Sequence, residues 1–514
     1  MERQLKQGKS LSSLAMSTTT RKSDTAISPL VQRLRNVLPT DRVHATPEDL
    51  AVFGYDGTWA NHRPDAVVSP LTAEEVSAVV RIARELDLPV VPRGGGTGLA
   101  GGSVPTHGGI VVNTTMMDRV LELDRLNMVA VVQPGLVNAR LQAEAEKLGL
   151  FYPPDPQSLR QCTLGGNVAT SAGGPRCLKY GTTKDYVLGL QVVLADGRII
   201  RTGGKMMKVQ TGYNLTQLFV GSEGTLGVIT EITLRLIPRP RYRGTVMAIF
   251  NRLSDAAETV NRVLQAGIVP LALEMMDNLC IRAVEAYKPF GLPLAAETIL
   301  LIDQDGNDSR VVQNELTEIA TLCRQGGAME VRQAETEAES VALWAARRTV
   351  SPAISRLKPN KLGEDISVPR AHIPGMVAKV TEIAARHNLV IPLFGHIGDG
   401  NLHPNILCNL RDPEEMARVQ QGAREIFEAA IALGGTLSGE HGIGSLKREY
   451  LHKSLDAASL EMMQRIKWAL DPENRFNPGK VFPAALDGIS PTGPARASDE
   501  NAKTQRRQEP RQAD

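Results

Sequence analysis

A chain of 514 residues is long enough to bury a sizeable core and to divide into two or three domains. Lys plus Arg (58) nearly balances Asp plus Glu (56), and aromatic residues make up only 4%. This composition excludes the basic face and the stacking platform of a nucleic-acid binder. No apolar run approaches the roughly 20 residues of a membrane helix, so any membrane contact is peripheral or runs through a partner. The five cysteines are scattered without a C-x-x-C pair to ligate zinc or an iron–sulfur cluster. They read as reduced thiols of a cytoplasmic protein.

Residues 1–27 are polar and rich in Ser, Thr, Lys and Arg with no apolar segment, and read as a disordered tail rather than a secretory signal. Thr72-Ala73-Glu74-Glu75 is a capping-box sequence, and Val76, Val79, Val80, Ala83 and Leu86 follow at helical spacing. The next run, Leu88 to Val91, reads as a strand and feeds Pro92-Arg93-Gly94-Gly95-Gly96-Thr97-Gly98-Leu99-Ala100-Gly101-Gly102-Ser103. Six glycines within residues 94–102 let successive N–H groups point into one concavity, a cradle for a diphosphate. Residues 96–101 also fit G-x-G-x-x-G, but a dinucleotide fold needs a helix there. Pro105 and Gly108-Gly109 forbid one, and Ile110 to Val112 already reads as the next strand. The alternative for this loop alone is a glycine-rich turn that binds nothing.

Met128 to Gln133 and Gln191 to Ala195 read as strands, with Asp196-Gly197 turning into Ile199-Ile200. Two more glycine-rich stretches lie in the same half, Cys162 to Gly174 and Gly221 to Ile229. Thr163, Asn167 and Thr170 offer hydrogen bonds to a polar planar ligand. Each stretch alone is explained by helix-on-sheet packing, whereas three of them point to one large shared cofactor.

After Pro238-Arg239-Pro240-Arg241 the pattern changes. Strand-like Val246 to Phe250 and Ile299 to Ile302 alternate with helix-like Ala256 to Leu264 and Val311 to Leu322, which predicts a separate α+β domain. It holds His396-Ile397-Gly398-Asp399-Gly400-Asn401-Leu402-His403, in which the glycines can turn the chain so that both histidines converge, and then Ser438-Gly439-Glu440-His441-Gly442. Two His and one Glu make a ligand set for a catalytic divalent cation with positions left for substrate. The alternative is a pair of satisfied core histidines and a solvated glutamate. His441, a free base near neutral pH, is the candidate general base. His387 is not assigned. The Pro-, Gln- and charge-rich stretch 487–514 reads as a second disordered tail.

Over residues 28–485 the chain resembles the FAD-linked oxidases of the vanillyl-alcohol-oxidase and p-cresol-methylhydroxylase (PCMH) type. The resemblance is carried by Pro92 to Gly98, Thr163-Leu164-Gly165-Gly166-Asn167 and Gly221 to Gly227. Leu273-Glu274-Met275-Met276-Asp277-Asn278 and Asn477-Pro478-Gly479-Lys480 are most similar to the branch of the glycolate oxidase flavin subunit and D-lactate dehydrogenases. The resemblance implies an α+β fold: a two-subdomain PCMH-type FAD-binding domain over 28–242, then a substrate cap domain with a C-terminal helical segment over 243–486. It implies FAD contacts at Pro92, Arg93, Gly94, Gly95, Gly96, Thr97, Gly98, Pro154, Ser158, Thr163, Gly166, Asn167, Thr170, Gly173, Gly174, Glu223, Gly227, Ile229 and Asn477. The first loop holds no histidine, though His107 is near, which favours non-covalent FAD. His396, His403 and Glu440 are implied as ligands of zinc or manganese, and Arg347 and Asn405 as substrate contacts. The family's lysine falls at Leu362, with Lys361 one residue short of that spacing.

The activity implied is oxidation of a small D-2-hydroxy acid such as glycolate or D-lactate. Electrons would pass to a separate iron–sulfur subunit, quinone or electron-transfer protein, in a hetero-oligomer or homodimer. Adjacent arginines on a helix usually include a surface one, here Arg348. D-2-hydroxyglutarate would need a further cationic contact. Two other classes stay open: a non-catalytic flavoprotein subunit and a flavin-free metal-dependent hydrolase.

Overall fold

The computed structural model describes residues 28–484. The two tails expected at 1–27 and 487–514 therefore lie outside the described residues. Helix Ala73–Glu85 begins as the capping sequence requires, with Thr72 Oγ1 accepting the Glu75 N–H at 3.2 Å. The reciprocal half of the box does not form. The Glu75 carboxylate instead accepts from the Leu71 N–H at 2.7 Å and from Arg42 at 2.6 and 2.7 Å, because a charge-assisted fork outcompetes a neutral donor. The strand after this helix is Val90–Arg93 rather than Leu88 to Val91. Asp87 turns left-handed (φ 54°), and the Leu88 N–H still caps Ala83 O.

Val90–Arg93 pairs in parallel with Ile110–Asn113, and residues 94–109 between them contain no helix. With Ala66–Val68 and Val43–His44 they complete a four-stranded sheet. A five-stranded sheet follows, in the order Val120–Asp124, Val129–Val132, Val228–Arg235, Val187–Val193, Ile199–Gly203. The Asp196-Gly197 turn joins its last pair.

The second half is built on an eight-stranded sheet. Its order is Ala328–Gln333, Tyr242–Phe250, Thr298–Gly306, Ala272–Asp277, Leu393–His396, Asn401–Cys408, Asn360–Gly363, with Ile366–Ser367 also on Asn401–Cys408. Period-two alternation builds a core on each face: Val246, Ala248 and Phe250 on one, Met247 and Ile249 on the other. Helices Leu253–Gln265, Ser309–Gln325, Ile373–Arg386 and Pro413–Ala432 bury the first face. Asn278–Tyr287 and Glu337–Ile354 bury the second.

The span expected as one domain, 243–486, does not stay with this sheet. Ile466 and Leu470 of helix Ala457–Leu470 pack on the five-stranded core, and Phe476 is fully buried in the four-stranded one. Arg475 O accepts the Val90 N–H at 2.8 Å, and the Asn477 N–H returns to Val90 O at 2.9 Å. Lys467 fixes the return by donating to Thr225 O (2.8 Å) and Phe476 O (3.0 Å) and pairing with the fully buried Asp471. Lys467→Met leaves Asp471 charged and without its cation. The expected cost is about 3–5 kcal/mol, read as an earlier thermal transition, whereas melting together with the parent would contradict this role.

Candidate active site

A cavity of about 1040 Å³ opens between the two halves. Its floor is the glycine loop. Pro92 to Gly98 line it, with Ser158, Thr163, Gly166, Asn167, Thr170, Gly173, Glu223, Gly227 and Ile229. The floor must be backbone, because a Cβ on Gly95 would stand 2.6 Å from Gln161 O. Thr163 Oγ1, Asn167 Nδ2 and Asp56 Oδ2 are buried on this wall with no hydrogen-bond partner. Unpaired buried polar atoms around a cradle of this size fit a large cofactor with phosphate, hydroxyl and amide edges, as FAD has.

Three residues expected against the cofactor are not on the wall. The Pro154 carbonyl accepts from Asn138 Nδ2 (3.2 Å) and Gln142 Nε2 (3.0 Å). Gly174 packs on the Asp155 backbone. Asn477 braces two lining loops from behind, donating from Nδ2 to Gly102 O and Glu223 O, both at 2.8 Å. Arg93 lines the cavity, but its guanidinium turns away to Tyr55 O (2.6 Å) and Ser103 Oγ (3.2 Å). The Glu223 carboxylate accepts from the Ile443 and Gly444 N–H groups at 2.8 and 2.7 Å and so joins the two halves. His107 sits against Thr106 and Gly479, off the wall. Asp56 and Trp59 do line the cavity, and nothing in their local sequence marks them.

On the opposite wall, strands Leu393–His396 and Asn401–Cys408 form a hairpin turned at Gly398-Asp399-Gly400. Gly400 (φ 87°) has no room for a Cβ beside Val368 O. The turn brings the His396 and His403 rings to 5.2 Å, near perpendicular. Glu440 Oε1 faces both, 3.3 Å from His396 Nε2 and 3.4 Å from His403 Nε2. Ligand atoms of these three residues lie within 4.8 Å of one another. His441 stacks on His403 with ring centroids 5.3 Å apart.

Burial pushes the His403 imidazole down to about 3 and lowers His441, so both are free bases near neutral pH. Burial would raise Glu440, but His396 and then His403 and His441 outweigh it and hold its carboxyl near 2. His396 is raised well above its ordinary range, because Glu274 and Glu440 outweigh its burial. One imidazole between two carboxylates is an environment rich in negative charge, and the His, His, Glu donor set fits a divalent cation.

Two carboxylates in this cluster escaped the sequence reading. Asp365 is fully buried and accepts from Asn401 Nδ2 (2.7 Å), Ser438 Oγ (2.6 Å) and the Glu440 and His441 N–H groups (3.0 and 2.9 Å). Glu274, also fully buried, stands 2.6 Å from His396 Nδ1. A charged residue between Leu273 and Met275, inside an apolar strand, was the available signal. His387 pairs instead with Glu425 at 2.9 Å.

The expected carboxylate-binding arginine is not on the wall. Arg347 is buried and pairs with Glu274 at 2.5 Å, its guanidinium over the Phe394 ring. Arg348, read from sequence as the surface one, is exposed yet lines the cavity. Lys361 lines it too, donating to Ser351 Oγ at 2.7 Å, and burial lowers its pKa. Asn405 is on the wall, its Nδ2 on His403 O at 2.8 Å.

A family model for FAD linked oxidases, C-terminal domain, matches residues 239–481, and one for an FAD binding domain matches residues 64–203. The glycolate oxidase subunit GlcD of Bacillus subtilis is 46% identical over 432 residues, covering 84% of this chain and 92% of the relative. The chain belongs to the FAD-linked oxidases. A D-lactate dehydrogenase of Anaerostipes hadrus is 35% identical over 87% of this chain and 94% of its own length. The solved structure of p-cresol methylhydroxylase with substrate bound superposes with a TM-score of 0.74 over 90% of this chain and 96% of that one. At 17% identity that likeness fixes the PCMH-type fold. As a member of the FAD-linked oxidases the chain has FAD as its cofactor, and no helix among the described residues is long and apolar enough to cross a membrane.

If the backbone floor seats the diphosphate, Gly95→Ala forces the loop off Gln161 O. Retention of FAD is expected to weaken about 10-fold, the equivalent of ~1.4 kcal/mol, read as visible flavin absorption per chain after dialysis. Undiminished flavin would contradict the placement.

Proposed function

We propose that this FAD-linked oxidase oxidises a small D-2-hydroxy acid, glycolate or D-lactate, to the 2-oxo acid. The observation that carries the reading is that His403, Glu440 and His441 open onto the same cavity as the glycine loop, so one substrate can touch the base and the cofactor together. FAD, bound without a covalent tether, supplies the acceptor for the two electrons leaving Cα. His107 off the wall and a first loop free of histidine support the untethered form. A divalent cation, zinc or manganese, would be held by His396, His403 and Glu440 and would lower the pKa of the substrate hydroxyl.

The chain's own residues then divide the remaining work. His441, a free base by burial, takes the hydroxyl proton. Lys361 and Asn405 hold the substrate carboxylate from the wall they share, and the Phe394 ring covers Arg347 beneath it. The unassigned acceptor of the electrons is a separate iron–sulfur subunit, quinone or electron-transfer protein, because the five free cysteines provide no cluster ligand set. A hetero-oligomer agrees with the word subunit in the name of the Bacillus relative. The same free thiols support a cytoplasmic place, at the inner membrane only through partners.

Arg348 favours a second reading. It is the further cation on the cavity wall that a second substrate carboxylate requires, as in D-2-hydroxyglutarate.

Anaerobic mixing with glycolate, D-lactate, L-lactate and D-2-hydroxyglutarate tests both. Glycolate or D-lactate is expected to bleach the flavin, and chelation to abolish bleaching until zinc or manganese is restored. His441→Asn is expected to slow bleaching about 10²–10⁴-fold with FAD content unchanged. Faster bleaching by D-2-hydroxyglutarate selects the second reading. A yellow protein that no hydroxy acid bleaches would overturn both.

A further inference from the structure

The rim of the cavity carries an inference that deepens the proposed function and rests on its reading of the substrate as an anion. Where the cavity meets solvent its wall is uncharged over Gln157 and Gln161 on the cofactor side and over Pro352, Ser355 and Pro359 on the other. Arg348 is the one charged residue of this wall that is exposed. It stands on helix Glu337–Ile354 with Ser351, Pro352 and Ser355, in an i, i+3, i+4, i+7 pattern that puts all four on one face. Lys361 donates to Ser351 Oγ at 2.7 Å, so the cation proposed to hold the substrate carboxylate lies against the next turn of that face. Across the opening, Arg160 is exposed between Ser158 and Gln161, two residues of the opposite wall. Among the described residues, neither Arg348 nor Arg160 makes a hydrogen bond or an ion pair. The carboxylate that acts on Arg348, Asp303, is already taken: fully buried, it pairs with Arg243 and accepts from Trp344 Nε1 at 2.7 Å and Thr245 Oγ1 at 2.5 Å. The Arg243 guanidinium carbon lies 5.7 Å from the Trp344 ring centroid, one helical turn from Arg348. Burial, then Arg243 and Arg160, lower the Arg348 pKa, so the two sides of the opening share one positive field while Arg348 stays charged.

We propose that Arg348 and Arg160, one on each half of the molecule, form a cationic rim that draws the 2-hydroxy acid anion into the cavity and toward Lys361. Unpaired charges at the mouth of a cleft with low-dielectric walls focus the field there and raise the local concentration of the counter-ion. An anion entering between the two arginines also relieves their mutual repulsion. The rim therefore selects by charge, favouring a carboxylate over a neutral alcohol, and it acts on the approach of the substrate rather than on the reacting atoms. A field of this kind needs the charge of Arg348 and not its fork of donors, which separates the rim from a seat for a second carboxylate.

The test is anaerobic bleaching of the FAD-loaded full-length protein by glycolate and D-lactate over a range of concentrations. It is run at about 0.01 M and about 1 M salt, between which the screening length falls from about 30 to about 3 Å. Both side chains are exposed and unpaired, so replacing them removes no contact that holds the fold. At low salt the concentration giving half-maximal bleaching rate is expected to rise about 10-fold in the Arg160→Gln, Arg348→Gln double variant. Arg160→Gln alone is expected to shift it in the same direction with the maximal rate and the flavin per chain unchanged. At high salt parent and variants are expected to converge, and Arg348→Lys, which keeps the charge and loses the fork, to follow the parent throughout. Parental half-saturation in the double variant at low salt, or a difference that survives high salt, would overturn the rim. A loss confined to D-2-hydroxyglutarate would overturn it too and give Arg348 to the second carboxylate. A parent protein bleached by no hydroxy acid would refute the proposed function and the rim together, whereas failure of the rim alone leaves bleaching of the parent intact.

Discussion

The arrangement of this site depends on one buried carboxylate. Asp365 carries its charge in full burial, where the loss of hydration is offset by four donors: Asn401 on Oδ1, and Ser438 with the N–H groups of Glu440 and His441 on Oδ2. Those donors come from two separate parts of the second half, the strand that bears His403 and the loop that bears Glu440 and His441. Holding them on one anion sets the candidate base beside the candidate ligands. Burial would raise this carboxyl, but His441 and then Lys447 and His403 outweigh it and keep it well below its ordinary range.

A second carboxylate does the equivalent for the two halves of the molecule. Glu223 belongs to the cofactor side, yet its oxygens receive the Ile443 and Gly444 N–H groups just beyond His441. Asn477, at the end of the returning C-terminal segment, holds the Glu223 carbonyl from behind. The cavity between cofactor cradle and acid–base cluster is thus closed by long-range contacts of this kind, the Ser445 N–H on Ala100 O among them, rather than by any local fold. Catalysis on a bound cofactor needs this kind of preorganisation, since a misplacement of about 1 Å can cost on the order of 10²-fold in rate.

Most of what the sequence made legible is local. The glycine run at 94–102 declares a backbone floor because only residues without a Cβ fit against Gln161. The two histidines declare convergence because glycines stand between them, and the alternation in Tyr242–Phe250 declares a strand with two buried faces. What stayed hidden is set by register between distant strands. Glu274 becomes the neighbour of His396 only through the pairing of Met275 with Gly395, and Asp365 meets Ser438 across 73 positions of sequence. The exchange of places between Arg347 and Arg348 has the same origin: which of two adjacent helical residues faces the cavity depends on where Glu274 waits. The return of Lys467 and Phe476 to the first half was equally invisible, since nothing in an amphipathic helix names the core it covers.

The most direct measurement is anomalous scattering from crystals of the FAD-bound protein loaded with manganese. The account predicts one peak lying about 2.0–2.3 Å from His396 Nε2, His403 Nε2 and a Glu440 carboxylate oxygen, on the cavity side, with Glu274 still on His396 Nδ1. A peak among Asp365, His403 Nδ1 and His441, or no peak in this cluster at all, would contradict it.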